Sequence, residues 1–405
     1  MSISIIEFSV ENFKIFKKKV TFSMLSRKNE QTFENNGQSL LRTSLIFGSN
    51  ASGKSSLLNA FAILRQGIIL SANNQEGSNL PYVPYKLLDN NHRPSFFEVI
   101  FCLDNKIFKY NFSILKKNII SENLFEVSSE KEEKSYLIRN EQEIELFSEF
   151  EKSNDVIAKT RKEVLFLSAA SQWNNDLAIR IVKGFKNINV ISGSDSGGYQ
   201  GYTIKLFKEN DEMKKKILDL LKKADFCIND GVVEKIELPD IFKNQLMPPL
   251  KNLSNEADTV YFSHSKFDSE NHQIGIEKFN IGDESGGTQK FFEILGPIVD
   301  TLENGKVLLI DEFDNSLHPF LTRFIIDLFE KSNNKNAQLI VTTHDTSLLS
   351  HKDLIKDQFW FTEKDKFGAG SLFSLAEFDL LRNDTEYSKK YLEGRFGALP
   401  FIESI

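Results

Sequence analysis

The chain has 405 residues, enough for two or three structural units around a sizeable core. A net charge of −7 excludes a uniformly basic nucleic-acid binder, although a local basic face stays open. Cys102 and Cys227 are far apart in sequence and form no metal or redox spacing, so both read as buried thiols of a reducing compartment. The 36 phenylalanines predict an aromatic-rich core. Met1 to Glu7 shows no basic segment followed by a long apolar run, so no secretory leader is expected. No uninterrupted apolar stretch approaches the ~18 residues of a membrane span. A cytoplasmic protein, with no membrane contact of its own, is the expectation.

Taken in chain order, Ile3 to Val10 reads as a strand, with Ile6, Phe8 and Val10 alternating. Leu45-Ile46-Phe47 is a short apolar strand that runs into a glycine-bearing loop. Leu57, Leu58, Ala60, Phe61 and Leu64 then recur at helical spacing, predicting a helix over 55–66. Residues 96–103 and 106–114 look like strands paired around Asp104-Asn105. The charged stretch 128–151 reads as a solvated hairpin or helix face. From about 150 to 255 the pattern turns mostly helical, with single helices expected over 169–185 and 203–224. Lys214-Lys215-Lys216 and Lys222-Lys223 give the second a basic face that reads as solvated, with DNA or RNA contact as the alternative. Ser192 to Gly201 reads as a flexible Gly/Ser loop. Beyond 258, strands are expected over 259–262, 274–279, 306–310 and 337–342, with helices over 288–301 and 319–330. This alternation favours a parallel α/β sheet. The expected organisation is 1–150 as the first part of a nucleotide domain, 151–257 as a mainly helical insertion and 258–405 as the remainder.

Gly48-Ser49-Asn50-Ala51-Ser52-Gly53-Lys54-Ser55 fits the phosphate-loop pattern G-x-x-x-x-G-K-[ST] at every required position. Its glycines let backbone N–H groups turn toward phosphate oxygens, with Ser56 following in the helix. Lys54 is expected to reach the β- and γ-phosphates of ATP, and the Ser55 hydroxyl to ligate Mg²⁺. Val307 to Ile310 form an apolar strand ending in Asp311-Glu312. Asp311 is expected in the Mg²⁺ shell, and Glu312 one residue on, to orient or deprotonate the attacking water. Ser285-Gly286-Gly287-Thr288-Gln289 precedes the 288–301 helix and lies 26 residues before Asp311. Two small residues there permit close backbone approach to a phosphate at a helix N-terminus. Downstream come Asp314-Asn315-Ser316-Leu317-His318-Pro319 and Val341-Thr342-Thr343-His344-Asp345.

In this order, the motifs resemble those of ABC-type ATPases. Ser285 to Gln289 resembles the signature Leu-Ser-Gly-Gly-Gln, with Glu284 in the leucine position. Asp314 to Pro319 resembles the dimer-contacting D-loop, and His344 the switch histidine that meets the γ-phosphate. Glu7-Phe8-Ser9-Val10-Glu11-Asn12-Phe13-Lys14-Ile15-Phe16 resembles the first strand of SMC-like ATPases. The chain more closely resembles bacterial AAA/ABC-type ATPases of the RloA kind, through the Asn50–Ser55 loop, the Asp311–Pro319 block and the Tyr391–Pro400 tail. The resemblance implies an ABC-type P-loop head. It also implies ATP hydrolysis with Mg²⁺ between two head-to-tail copies, the signature capping the partner's nucleotide. A homodimer or higher even oligomer follows. One family feature is missing: Gln66 comes too soon after the phosphate loop to serve as the Q-loop glutamine. That implies slow hydrolysis or another residue in its place.

This resemblance implies an ATP-gated sensor or regulator of a separate effector, a small nuclease for example, in anti-phage defence. The insertion and the tail after 350 are the expected partner surfaces. An SMC-like DNA-repair ATPase is the alternative, but it needs a long coiled coil that about 100 irregular residues do not supply. A transporter subunit has a shorter span between phosphate loop and signature than the 231 residues from Lys54 to Ser285. A fused nuclease is also disfavoured, because only 61 residues follow His344. The acids Glu363, Asp365, Glu377 and Asp379 in that stretch read as surface charge.

Overall fold

The computed structural model describes residues 3–27, 32–73, 80–89, 91–128, 132–192, 197–224, 226–237, 256–378 and 387–399. Its first elements are β1 (Ile3–Glu11), β2 (Val20–Ser23), β3 (Thr32–Asn35), β4 (Gln38–Leu41), β5 (Thr43–Gly48) and α1 (Lys54–Leu70). Then come β6 (Ser95–Leu103), β7 (Lys106–Leu115), β8 (Asn118–Val127), β9 (Glu133–Asn140) and β10 (Glu143–Leu146). The middle of the chain forms α2 (Asn154–Ile157), α3 (Phe166–Gln172), α4 (Asp176–Lys186), β11 (Ile188–Ser192), α5 (Gly197–Glu209) and α6 (Asp211–Lys223). It continues with β12 (Asp230–Glu237), β13 (Glu256–Phe267), β14 (Gln273–Asn280), α7 (Gly286–Asn304) and β15 (Val307–Asp311). The last elements are α8 (Pro319–Lys331), β16 (Gln338–Thr342), β17 (Phe359–Lys364), β18 (Gly370–Ser374) and α9 (Tyr387–Leu392). The chain divides into two compact units, residues 1–193, 301–314 and 325–405 in the first, residues 194–300 and 315–324 in the second.

In the first unit, short apolar runs without polar alternation become strands covered on both faces. They form a six-stranded sheet in the order β11-β15-β16-β5-β17-β18. All its pairings are parallel except that of the edge strand β18 with β17. Every residue of β5 and of β16 is buried. A second, antiparallel sheet runs β10-β9-β8-β7-β6-β1-β2. Leu57, Leu58, Phe61 and Leu64 of α1 share one core cluster with Phe8 of that sheet and Ile46, Leu309 and Ile340 of the parallel one. Phe61 meets Phe8 edge-on, with ring centroids 5.1 Å apart. Burying a side chain of this size contributes about 1.5–3 kcal/mol, so this apolar stripe anchors the helix behind the phosphate loop. By length and hydropathy alone, Lys54–Asn73 would also pass as a membrane span.

A mixed α/β fold with a largely parallel sheet running into the phosphate loop is present, as the sequence implied. Several local expectations need correction. The helix expected over 169–185 is two, because Trp173 ends α3 and the Asn175 side chain caps α4 by accepting from the Ala178 N–H. The helix expected over 203–224 is also two, broken where Asn210 caps α6. The loop expected at 192–201 is in part helix, since α5 begins at Gly197. Ile204 and Phe207 supply its buried stripe, with Phe207 packed edge-on against Phe292 at 5.9 Å. That packing outweighs the ~1 kcal/mol that each helical glycine costs. Two strands, β11 and β12, interrupt the stretch expected to be mainly helical, and β11 belongs to the parallel sheet. The tail after 350 is more than a surface: β17 pairs with β5 itself, and Phe359 to Thr362 are buried. Cys102 is buried as expected, whereas Cys227 is exposed.

The second unit carries α5, α6 and a three-stranded antiparallel sheet in the order β12-β13-β14. Val260 and Phe262 of β13 are buried, and Phe262 stacks edge-on against Phe292 of α7 at 5.2 Å. The Thr203 hydroxyl donates to the Glu293 carbonyl at 2.7 Å, which joins α5 to α7. The edge strand β14 has no buried residue, and Ile274 and Ile276 are 60% and 63% exposed.

Candidate functional site

The loop after β5 turns on two residues whose backbones demand small or absent side chains. Gly48 has φ +153°, and a Cβ there would run into Thr362 and Ser52. Gly53 has φ +121°, and a Cβ would come within 2.7 Å of Ile15. Both strain and crowding therefore exclude other residues. Ala51 at the loop tip is also left-handed, with φ +59°. Asn50 and Ala51 are exposed, Ser49, Ser55 and Ser56 half-buried, and Ser52, Gly53 and Lys54 buried. The Ser52 hydroxyl is 2.6 Å from that of Thr362 on β17, which pins the loop to the tail strand. The Lys54 ammonium donates to the carbonyls of Gly48 and Ser49 at 2.8 and 3.0 Å.

Three strands bring the expected groups to one end of the parallel sheet. β5 delivers the loop, β15 ends in Asp311-Glu312, and β16, which lies between them, leads to His344. Thr342 ties these together. Its hydroxyl donates to Asp311 Oδ1 at 2.6 Å and accepts the Glu312 N–H at 2.8 Å. Glu312 itself sits at φ +53°, a left-handed conformation that a non-glycine residue adopts only under constraint. The His344 N–H is held by the Asp314 carboxylate at 3.1 and 3.2 Å.

The electrostatics agree with this convergence. Burial lowers the pKa of Lys54, and Asp311, Asp314 and Glu312 act in the opposite direction. Burial also lowers that of His344, reinforced by Lys54 and opposed by Asp314, Glu312 and Asp311. His344 is therefore a neutral imidazole at pH 7, able to donate from one ring nitrogen and accept at the other. Burial lowers the pKa of Lys14, opposed by Asp311, so this residue brings a further cation toward Asp311. Sequence reading placed Lys14 only in a family-like stretch and gave it no role. The left-handed turns at Asn12 and Lys14 that aim this loop leave no strong sequence pattern.

The signature-like segment lies in the second unit. Ser285 caps α7: its hydroxyl accepts the Thr288 N–H at 3.2 Å and lies 2.8 Å from the Thr288 hydroxyl. The Gln289 amide turns back to the Glu284 carbonyl at 2.8 Å. Ser285 and Gly286 are exposed, Gly287 and Gln289 half-buried and Thr288 buried. A Cβ on Gly286 would meet nothing within 4 Å, so packing inside the chain does not require glycine there. His318 is exposed, with Nδ1 accepting the Phe320 N–H at 3.2 Å.

No glutamine of the first unit stands in for the Q-loop among the described residues. Gln66 is exposed on α1, ~18 Å along the helix from Lys54. Gln338 holds β1 through Ile5, and Gln358 holds Thr43 and Glu330. Of the tail acids, Asp365 and Glu377 close turns by accepting the Phe367 and Ser374 N–H groups, and Glu363 holds the C-terminal segment by accepting the Ala398 N–H. Asp379 and Pro400 lie outside the described residues.

A parallel sheet that ends in a phosphate loop, two acids and a histidine defines a P-loop NTPase. The chain matches the family "AAA domain, putative AbiEii toxin, Type IV TA system" over residues 44–350 and belongs to it. No curated protein matches the chain. Among solved structures it is similar to the SMC head domain from Thermotoga maritima, at 12% identity over 92% of this chain and 99% of that one, with a TM-score of 0.43. It is similar to an SMC head bound to the C-winged helix domain of ScpA, at 12% identity over 91% and 97%, with a TM-score of 0.45. The Smc head with an extended coiled coil bound to the C-terminal domain of ScpA, from Pyrococcus furiosus, gives 14% identity over 97% and 99%, with a TM-score of 0.43.

Proposed function

We propose that this chain is an ATPase of the SMC-like, RloA kind, which closes as a head-to-tail dimer on ATP and so regulates a separate effector in anti-phage defence. The observation that carries the ATPase reading is the gathering of Lys54, Asp311, Glu312 and His344 at one sheet end, with Thr342 fixing both acids. The positive-φ glycines at 48 and 53 leave a backbone cradle suited to phosphate oxygens. Ser55 and Asp311 would hold Mg²⁺, which offsets phosphate charge when bound. Glu312 accepts a proton from the attacking water at its carboxylate, and neutral His344 orients the γ-phosphate through a ring N–H. The exposed Ser285-Gly286 turn supports a trans role, because its glycine serves no packing need within the chain.

The family description, which names a putative toxin of a type IV TA system, supports the defence setting. The longest described helix, α7, has 19 residues. The described residues therefore contain no long coiled-coil arm of the kind that the SMC-like repair alternative calls for. Glu312→Gln is the test. It should slow turnover by on the order of 10²- to 10⁴-fold and trap an ATP-bound dimer visible by light scattering. A variant that stays monomeric with ATP would sink the sandwich mechanism.

A further inference from the structure

The residue before the signature serine departs from the motif it resembles: Glu284 stands where leucine is expected. A carboxylate beside a turn meant for phosphate is electrostatically unfavourable, since like charges raise the cost of approach. The structure shows where that charge goes. His264, in the middle of β13, presents Nε2 at 2.8 Å from Glu284 Oε1. The two side chains are only 16% and 9% exposed. The imidazole packs on Phe279 of β14, with centroids 5.0 Å apart, so its orientation is fixed by the sheet.

A second tie lies five residues away along β13. The Asn280 amide donates to the Thr259 hydroxyl at 3.2 Å, while its oxygen accepts the Gly282 N–H at 2.9 Å. The Asp283 carboxylate in turn accepts the Asn280 N–H at 3.2 Å. Residues 280–284 are thus fastened to β13 at both ends. The Gln289 side chain bonds the Glu284 carbonyl and so links the same fastening to the first turn of α7.

We propose that His264 is a positioning residue for the signature turn: it draws the Glu284 carboxylate onto β13, away from the phosphate-facing side, and sets Ser285-Gly286-Gly287 for a second copy's ATP. This rests on the sandwich reading. The β12–β14 sheet becomes the frame on which the trans half of the ATP site is mounted. Misplacing such a turn by about 1 Å is enough to cost catalysis on the order of 10²-fold.

The test uses the full chain and four variants, with steady-state ATPase, binding of a fluorescent ATP analogue to the monomer, and ATP-dependent dimerisation. His264→Leu frees the carboxylate and should lower kcat on the order of 10-fold while leaving monomer nucleotide affinity unchanged. His264→Gln retains an N–H donor and should stay near wild type. His264→Leu combined with Glu284→Leu removes the charge and should recover most of the turnover. Wild-type kcat in His264→Leu overturns the proposal, as does a double variant no better than the single one. Gly286→Trp obstructs the turn directly and separates the two readings. If it leaves dimerisation and turnover intact, the sandwich fails. If it abolishes both while His264→Leu behaves as wild type, only the role of His264 falls.

Discussion

The two units are held together by opposite means. In the first unit the site stands on strands buried on both faces, and β5 and β16 have no exposed residue. In the second, the Ser285–Gln289 turn adjoins a small sheet whose edge strand has no buried residue and which is steadied by side-chain bonds such as His264 to Glu284. Groups fixed by close packing hold their geometry wherever the chain goes, because interiors are as dense as organic crystals. Groups fixed by a few polar contacts can be repositioned by whatever engages the sheet. The difference teaches that the phosphate loop and the Ser285–Gln289 turn owe their local geometry to contacts of different kinds.

That contrast can be broken by mutation. Phe61→Ala, in the packing between the two sheets of the first unit, should cost about 3–5 kcal/mol and lower the melting temperature in calorimetry. A near-neutral result would mean that the first unit is not held by this core. Glu330 probes the far end of the phosphate-loop strand, where it accepts from Thr43 and from Gln358 Nε2 at 2.8 Å. Burial pushes its pKa up to about 7, with those two donors opposing. The folded state therefore binds the proton more tightly than the unfolded chain, whose value is near 4.5. Stability should be greatest below that value and fall as pH rises through about 7, by up to roughly 3 kcal/mol. Urea melts across this window should flatten in Glu330→Gln; a slope that survives would assign the effect to another group.

Lys54→Ala removes a charge-assisted contact worth about 1.5–3 kcal/mol and should weaken nucleotide binding roughly 10- to 100-fold by calorimetry. Unchanged affinity would undercut the loop's role. At the small end, Ile276→Thr on the exposed strand should shift stability by less than about 0.5 kcal/mol. A large loss would show that β14 is covered in the working assembly.

Legibility in the sequence followed the same division. The phosphate loop, the Asp311-Glu312 strand end and His344 were readable because each sits at a strand end, where type and spacing are dictated locally. β17 was not. Phe359 to Thr362 offer four residues of strand character, and nothing near them in sequence says that they pair with β5, more than 300 residues away. The breaks at Trp173 and Asn210 were hidden because apolar spacing continues across them, and the only local signals are the single asparagines, Asn175 and Asn210, that cap the start of each following helix. Lys14 was missed for a different reason: its proximity to Asp311 depends on backbone turns that carry no glycine.

The position of β5 also bears on how the protein is made. Both of its sheet partners, β16 and β17, lie roughly 290 to 310 residues downstream. At about 5–20 residues per second, a ribosome needs roughly 15–60 s to supply them after β5 has emerged. Through that interval the strand that carries the phosphate loop has neither neighbour. The sheet around the phosphate loop thus becomes complete only late in synthesis, and the nascent chain has a long window in which β5 is open to wrong partners.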